Sequence, residues 1–280
     1  MITGMPRIAI AAADFDGLVD VFRNRLGMPV VDLSGETVPD LGARIAMCVP
    51  EGGSNIELMC PEVPDAPLSQ SLQRFLDRRG AGPFALMLEA PDPNAEAEVL
   101  AGRGLNVLPL MAGAGGRDVH PNSTHGVLIR VYPVDSYRRP QPAGAPRSPV
   151  SGIARVIIAV KDIAAAAATY GTRFGLEAGP VVEDAARGVA SVIVRPPTGG
   201  VIELVVVRDR TKPFAASVGA HLDANPEGMY ALVLRASDPA GLLAGLRAGG
   251  LDARFATDSA EVVELGRGSM FGALVRIEKG

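Results

Sequence analysis

The chain has 280 residues, enough for two domains with ordinary cores, and carries a formal charge of −4 with no basic run longer than Tyr137-Arg138-Arg139. That balance excludes a nucleic-acid partner, which needs concentrated Lys and Arg, and the absence of any run near ~20 apolar residues excludes a membrane-spanning helix. Aromatics are only 4% with no Trp, Cys48 and Cys60 make no disulfide framework, and the N-terminus lacks a secretion-signal pattern, so a soluble cytoplasmic protein with aliphatic, small-residue cores is expected.

The first element is a strand over 6–13, Pro6-Arg7-Ile8-Ala9-Ile10-Ala11-Ala12-Ala13, followed by Asp14. An amphipathic helix over 15–26 then ends at Gly27. A loop with Glu36 and Asp40 leads into strands near 43–49 and 55–60. A second helix, about 68–79, has Leu72, Phe75 and Leu76 at helical spacing. The pattern then restarts with strand 84–90, Asp92, helix 93–103, Gly104, and strands near 107–110 and 126–132. The segment 133–152 contains five prolines and two glycines and reads as an extended linker.

The second half repeats the first. Arg155, Asp162 and Gly175 stand 148 residues after Arg7, Asp14 and Gly27. Asn55-Ile56-Glu57-Leu58 returns as Val201-Ile202-Glu203-Leu204 at an offset of 146, as do Gly82 to Leu88 in Gly228 to Leu234 and Gly126 to Val131 in Gly272 to Ile277. A fixed long period is the mark of internal duplication. Each half also divides in two, so the order of strand, helix and further strands occurs four times. The expected fold class is α+β, a tandem duplication of paired βαβββ modules. The four modules would make two curved-sheet barrels, with domains at 1–132 and 153–280 joined by the linker 133–152.

The ordered motifs Ile8-Ala9-Ile10 to Asp14, Pro39-Asp40-Leu41-Gly42, Ile56-Glu57-Leu58-Met59-Cys60-Pro61, Phe75 to Gly82 and His120-Pro121-Asn122-Ser123-Thr124-His125-Gly126 carry a family resemblance. The chain resembles the vicinal oxygen chelate superfamily, which includes glyoxalase I, extradiol dioxygenases, bleomycin-resistance proteins and methylmalonyl-CoA epimerase. The first half is most similar to the epimerase branch.

The resemblance implies a metal site with two His and two Glu or Gln ligands. In the first half those positions hold Arg7, Glu57, Ala85 and Arg130, with Phe84 beside Ala85. In the second they hold Arg155, Glu203, Ala231 and Arg276, with Tyr230 beside Ala231. A guanidinium has no lone pair to give a metal, so no metal and no other cofactor is expected. Each Arg-Glu-Arg set reads either as an ionic cross-link, with the Glu bridging both arginines, or as a substrate-binding group whose positive excess holds a carboxylate, enolate or thioester oxygen. The binding residues are then Arg7, Arg130, Phe84, Arg155, Glu203, Tyr230 and Arg276.

Glu57 and His125 are the candidates for moving a proton. Glu36 and Asp40 are either general bases or solvated loop carboxylates, and Cys48 and Cys60 read as core thiols. What the resemblance implies is a metal-independent epimerase, isomerase or lyase acting on a small carbonyl or acyl-thioester metabolite. The alternative is a non-catalytic binding protein of the bleomycin-resistance type. The partner is a small-molecule ligand, and the chain would act as a monomer or homodimer.

Overall fold

The computed structural model describes residues 1–111, 113, 115–136 and 147–280. The first half runs β1 (Gly4–Ala11), α1 (Phe15–Asp20), β2 (Val30–Asp32), α2 (Ser34–Leu41), β3 (Ala43–Cys48), β4 (Asn55–Pro61), α3 (Pro67–Arg79), β5 (Gly82–Ala90), α4 (Pro93–Gly102), β6 (Arg117–Val119) and β7 (Leu128–Pro133). The second continues with β8 (Arg155–Ala159), α5 (Ile163–Ala167), β9 (Glu177–Ala178), β10 (Val182–Asp184), β11 (Val189–Arg195), β12 (Val201–Val207) and α6 (Pro213–Ala224). It ends with β13 (Gly228–Ala236), α7 (Pro239–Ala248), β14 (Ala253–Ala256), β15 (Ser259–Leu265) and β16 (Val275–Lys279).

Asp starts the helix that follows each module's first strand. Asp14, Asp92, Asp162 and Asp238 each accept a hydrogen bond from a backbone N–H in the first turn of α1, α4, α5 and α7. That satisfies donors a helix start otherwise leaves orphaned. In α1 and α5 the helix widens into a π-helical segment, Val21–Arg25 and Ala168–Arg173, before the closing Gly27 and Gly175. The helix expected over 15–26 is therefore mixed α and π.

The strands form two sheets. The first has the order β2-β3-β4-β1-β5-β7-β6, and the second β10-β11-β12-β8-β13-β16-β15-β14 with β9 on β11. Within a module the first and last strands pair in parallel, as β1 with β4 and β5 with β7. The two modules of a half meet antiparallel through β1 and β5, or β8 and β13. Both sheets curve without closing, so the expected barrels are open.

Three details depart from expectation. Glu36 and Asp40 lie on α2 rather than in a loop, and both are exposed. No residue of α2 is buried, so it offers no apolar stripe to read. Residues 107–110 form no strand; Val107 makes a lone bridge to Val119. Of the linker, residues 137–146 lie outside the described residues, while Val150 near its end is buried and Ile153 pairs with Ser54.

Strand alternation gives each sheet two faces with different jobs. Ile8, Ile10, Ile56, Leu58, Leu86 and Leu88 point to the side covered by α1 and α4. Their cluster is continuous with Val156, Ile158, Ile202, Leu204, Leu232 and Leu234, so one core joins the halves. Ala9, Ile45, Met47, Met59, Ala85 and Met87 line the opposite face of the first sheet, where Leu68 and Leu72 of α3 pack. In the second sheet Phe214 and Val218 of α6 do the same against Ile157, Val205 and Tyr230.

The halves are joined by matched contacts. Met5 bridges to Gly199, and Ile153, its equivalent, bridges to Ser54. Gly126 packs on the Glu227 carbonyl, and Gly272 packs on the Ala81 carbonyl. The second pair is the first advanced by 146 in one member and exchanged in the other. Both glycines have left-handed backbones, φ 78° and 79°, and leave no space for a Cβ.

Candidate functional site

Register places the arginines and glutamates of both halves on the face covered by α3 or α6. Glu57 sits opposite Ala9 of β1, two residues along from Arg7, and Glu203 sits opposite Ile157, two along from Arg155. Arg130 is paired across the sheet with Met87 and Asp118, and Arg276 with Val233 and Glu264.

In the first half Arg7 Nε donates to Glu57 Oε2 at 3.0 Å, both side chains being buried. Arg7 Nη1 donates to Ser136 Oγ at 3.1 Å, and its guanidinium lies over the Tyr132 ring, 4.5 Å from the centroid. Burial, the largest single influence, pulls the Arg7 pKa down, but Glu57 and Tyr132 together outweigh it and the net shift is upward. The expected bridge from Glu57 to both arginines is made on one side only. Arg130, 1% exposed, donates from Nη2 to Asp118 Oδ2 at 3.1 Å. Its Nε is 2.8 Å from Asp118 Oδ1 but off the line of a hydrogen bond.

The second half has more carboxylates. Arg155 meets Glu203 at 3.1 Å and both oxygens of Glu278 at 2.6 and 2.7 Å. Arg187 donates to Glu203 at 2.6 Å and to Asp184 at 2.7 Å. Arg276 donates to Glu264 at 2.7 Å and to Asp258 at 3.0 and 2.9 Å. The positive excess expected here is absent: three guanidiniums face five carboxylates. In the first half two face two.

The sequence reading missed the partners that cause this, Asp118, Tyr132, Glu264, Glu278, Arg187 and Asp258. The repeat offset held the signal. Asp118 and Glu264 are equivalents at 146, as are Tyr132 and Glu278, and each stands two residues from a flagged position or directly across from one.

One substitution separates the halves. Two residues ahead of β3 the first half has Leu41; two ahead of β11 the second has Arg187. Arg187 reaches Glu203 and donates to its Oε1 at 2.6 Å. With Leu41 instead, a cavity of about 280 Å³ remains against Arg7, Glu57, Tyr132 and Ser136, walled by Ile45, Met47, Met59 and Leu68. Glu57 commits only Oε2 to Arg7, and its Oε1 has no hydrogen bond among the described residues.

The remaining candidates lie elsewhere. His125 does not share the Glu57 cavity. It sits at the junction of the halves, with Nδ1 3.1 Å from Glu227 and Nε2 3.5 Å from Thr169. Its left-handed φ of 54° recurs at Phe271, 48°, so the position serves a turn in both halves. His120 Nδ1 accepts from Asn122 N–H and caps the short 3-10 turn after it. Phe84 packs edge-on to Phe75 and 5.6 Å from Arg130. Tyr230 donates to Ser217 at 2.7 Å, and burial pushes its phenol pKa up. Cys48 and Cys60 are free and buried, with thiol pKa values raised chiefly by burial.

The donor set does not fit the divalent ion that the resemblance implies. Of Arg7, Glu57, Ala85 and Arg130, Glu57 alone has a lone pair to offer. Among the described residues no group of three or more His, Cys, Asp or Glu is placed to hold an ion. No helix among them is long and apolar enough to cross a membrane.

Residues 156–276 match the family model of a glyoxalase-like domain. No curated protein matches the chain. Among solved structures it is similar to a triple mutant of 4-hydroxymandelate synthase from Streptomyces coelicolor, at 15% identity and TM-score 0.66, covering 99% of this chain and 92% of that one. A xylose isomerase-like TIM barrel/4-hydroxyphenylpyruvate dioxygenase fusion protein aligns over 99% of this chain and 48% of its own, at 13% identity and TM-score 0.64. A methylmalonyl-CoA epimerase variant from Streptomyces coelicolor, in complex with 2-nitronate-propionyl-CoA, aligns over 50% of this chain and all of its own, at 26% identity and TM-score 0.41.

Proposed function

Residues 156–276 match a glyoxalase-like domain and the whole chain shares its fold with 4-hydroxymandelate synthase, and we propose that the chain is a member of the vicinal oxygen chelate superfamily whose first half is a metal-independent active site. It would act beside the carbonyl of a small metabolite or acyl-thioester, as an epimerase, isomerase or lyase. The carrying observation is the cavity against the Arg7–Glu57 pair, beside Leu41, whereas in the second half the equivalent position holds Arg187, which donates to Glu203. Glu57 Oε1 takes the proton from the carbon next to the carbonyl, with Oε2 held by Arg7. The Arg7 guanidinium, close enough to share its field with the cavity, stabilises the enolate that forms. The Tyr132 ring and Ser136 hydroxyl hold Arg7 in place. The second half, with its charges internally answered, is a structural counterpart. The units would be domains 1–132 and 153–280, in a cytoplasmic monomer or homodimer.

A second reading, sequestration without chemistry, is favoured by the neutralisation of Arg7 and Arg130 by Glu57 and Asp118. Solvent deuterium exchange separates the two. Chelator-treated protein is incubated in heavy water with a panel of 2-oxo acids and acyl-thioesters, and exchange at the carbon next to the carbonyl is followed by NMR. The catalytic reading expects exchange that survives chelation and drops by about 10²-fold or more in Glu57→Gln. Binding without exchange supports sequestration, and exchange indifferent to Glu57→Gln removes Glu57 as the base.

A further inference from the structure

A second feature of the first half lies outside the Glu57 cavity. A groove of about 430 Å³ runs between α3 and the turn before β7, at the junction with the second half. Arg74, Arg78 and Arg79 of α3 line it together with His120, and Phe75 and Phe84 supply its apolar wall. No carboxylate lines it, and among the described residues none of the three arginines has an ion-pair partner. All three side chains are exposed, and they gather on one helix in a chain of net charge −4. Partial burial pushes the Arg79 pKa down. The same field reaches His221 across the junction, whose pKa is pushed down to about 4 by burial first and then by Arg267 and Arg79.

The duplication provides an internal control. α6 is the equivalent of α3 at an offset of 146, and it begins with the same Pro at its first position. At the places of Arg74, Arg78 and Arg79 it has Ala220, Ala224 and Asn225. The helix therefore forms and packs without these arginines. Arg78 and Arg79 also suit the C-terminal turn of α3, where cations are favoured, but α6 shows that the helix forms without them.

His120 adds a directed donor. Its Nδ1 accepts from Asn122 N–H, which places the ring proton of the neutral imidazole on Nε2. That edge is available to an acceptor in the groove.

We propose that this groove binds an organic anion with an apolar body. Its phosphate or carboxylate head lies against Arg74, Arg78 and Arg79 and accepts from His120. Its body lies on Phe75 and Phe84. Guanidinium groups suit both head groups because they present paired N–H donors in a fixed plane. The proposal is independent of the chemistry assigned to Glu57.

The test is an NMR titration of the full chain with phenyl phosphate, phenylacetate and, as the neutral control, phenol. It is repeated on the triple variant Arg74→Ala, Arg78→Ala, Arg79→Asn, which copies α6. Circular dichroism checks that the variant is folded. The proposal expects at least one anion to shift groove resonances, to bind about tenfold or more tightly than phenol, and to lose about tenfold or more in the variant. Preference for phenyl phosphate assigns a phosphomonoester head, and preference for phenylacetate a carboxylate. Phenol binding as well as the anions, a folded variant binding them unchanged, or no binding of either anion by about 10 mM would each overturn it.

Discussion

Arg276→Met tests whether the second cluster holds the protein together. The Arg276 side chain is 4% exposed, Asp258 7% and Glu264 10%. Three charge-assisted hydrogen bonds of 2.7 to 3.0 Å join them. With an effective dielectric of about 20, a unit-charge pair about 4 Å apart gains about 4 kcal/mol, and the desolvation of three ions offsets most of the gain from two such pairs. Removing the cation discards the attraction but leaves two carboxylates buried. The expected loss is about 3–5 kcal/mol, read as a lower urea midpoint at pH 7.5. A companion triple variant, Arg276→Met with Asp258→Asn and Glu264→Gln, removes the charges together and should recover much of that loss. A single variant within about 1 kcal/mol of wild type would refute the view that this cluster is an ionic cross-link.

Three further outcomes follow from the repeat. His221, with its pKa pushed down to about 4, is neutral in the folded state and gains a proton on unfolding below about pH 6.5, so its contribution is intact above that pH and is lost as pH falls toward 4. His221→Phe, which copies Phe75, should flatten that acid arm of the stability curve, by about 1–2 kcal/mol once screening at a partly exposed ring is allowed for; an unchanged arm would mean other groups set it. Leu41→Arg copies Arg187, so it should fill the Glu57 cavity and abolish deuterium exchange while leaving the urea midpoint within about 1 kcal/mol of wild type. Gly272→Ala places a side chain at φ 79° against the Ala81 carbonyl and should cost roughly 2 kcal/mol or more, measured by urea unfolding; a neutral result would mean the junction is more plastic than its packing suggests.

The fold was legible because it depends on patterns that chain order preserves. An apolar strand, an Asp cap and a closing Gly at matched offsets specify a module, and two-residue alternation specifies which face Arg7 and Glu57 share. The local pairs Arg7–Glu57 and Arg155–Glu203 could be read for that reason. The partners that decide their charge could not be read from the family's ligand positions alone. Asp118 and Glu264 come from the neighbouring strand, and family ligand positions do not include it. Nor does Arg187, which approaches from ahead of β11. His125 reads as catalytic in sequence because, with His120, it lies in the turn before the strand carrying Arg130; in the fold its ring Nδ1 is 3.1 Å from Glu227 of the other half.

Under the function proposed above, the two halves put the same residues to two uses. A Glu held by an Arg on the neighbouring strand occurs in both, so the pair itself does not distinguish binding from bracing. What distinguishes them is the third residue. Arg187 donates to Oε1 of Glu203, whereas the equivalent Leu41 gives Glu57 no hydrogen bond and lines a cavity beside it. A buried carboxylate left with an unfilled hydrogen-bonding position is costly unless something returns the bond. In the second half Arg187 returns it at Oε1 of Glu203, and Oε2 meets Arg155 at 3.1 Å as an ion pair without a hydrogen bond. In the first half Oε1 of Glu57 has no hydrogen bond among the described residues, and under the function proposed above a ligand with one polar end and a small apolar body supplies it from the cavity.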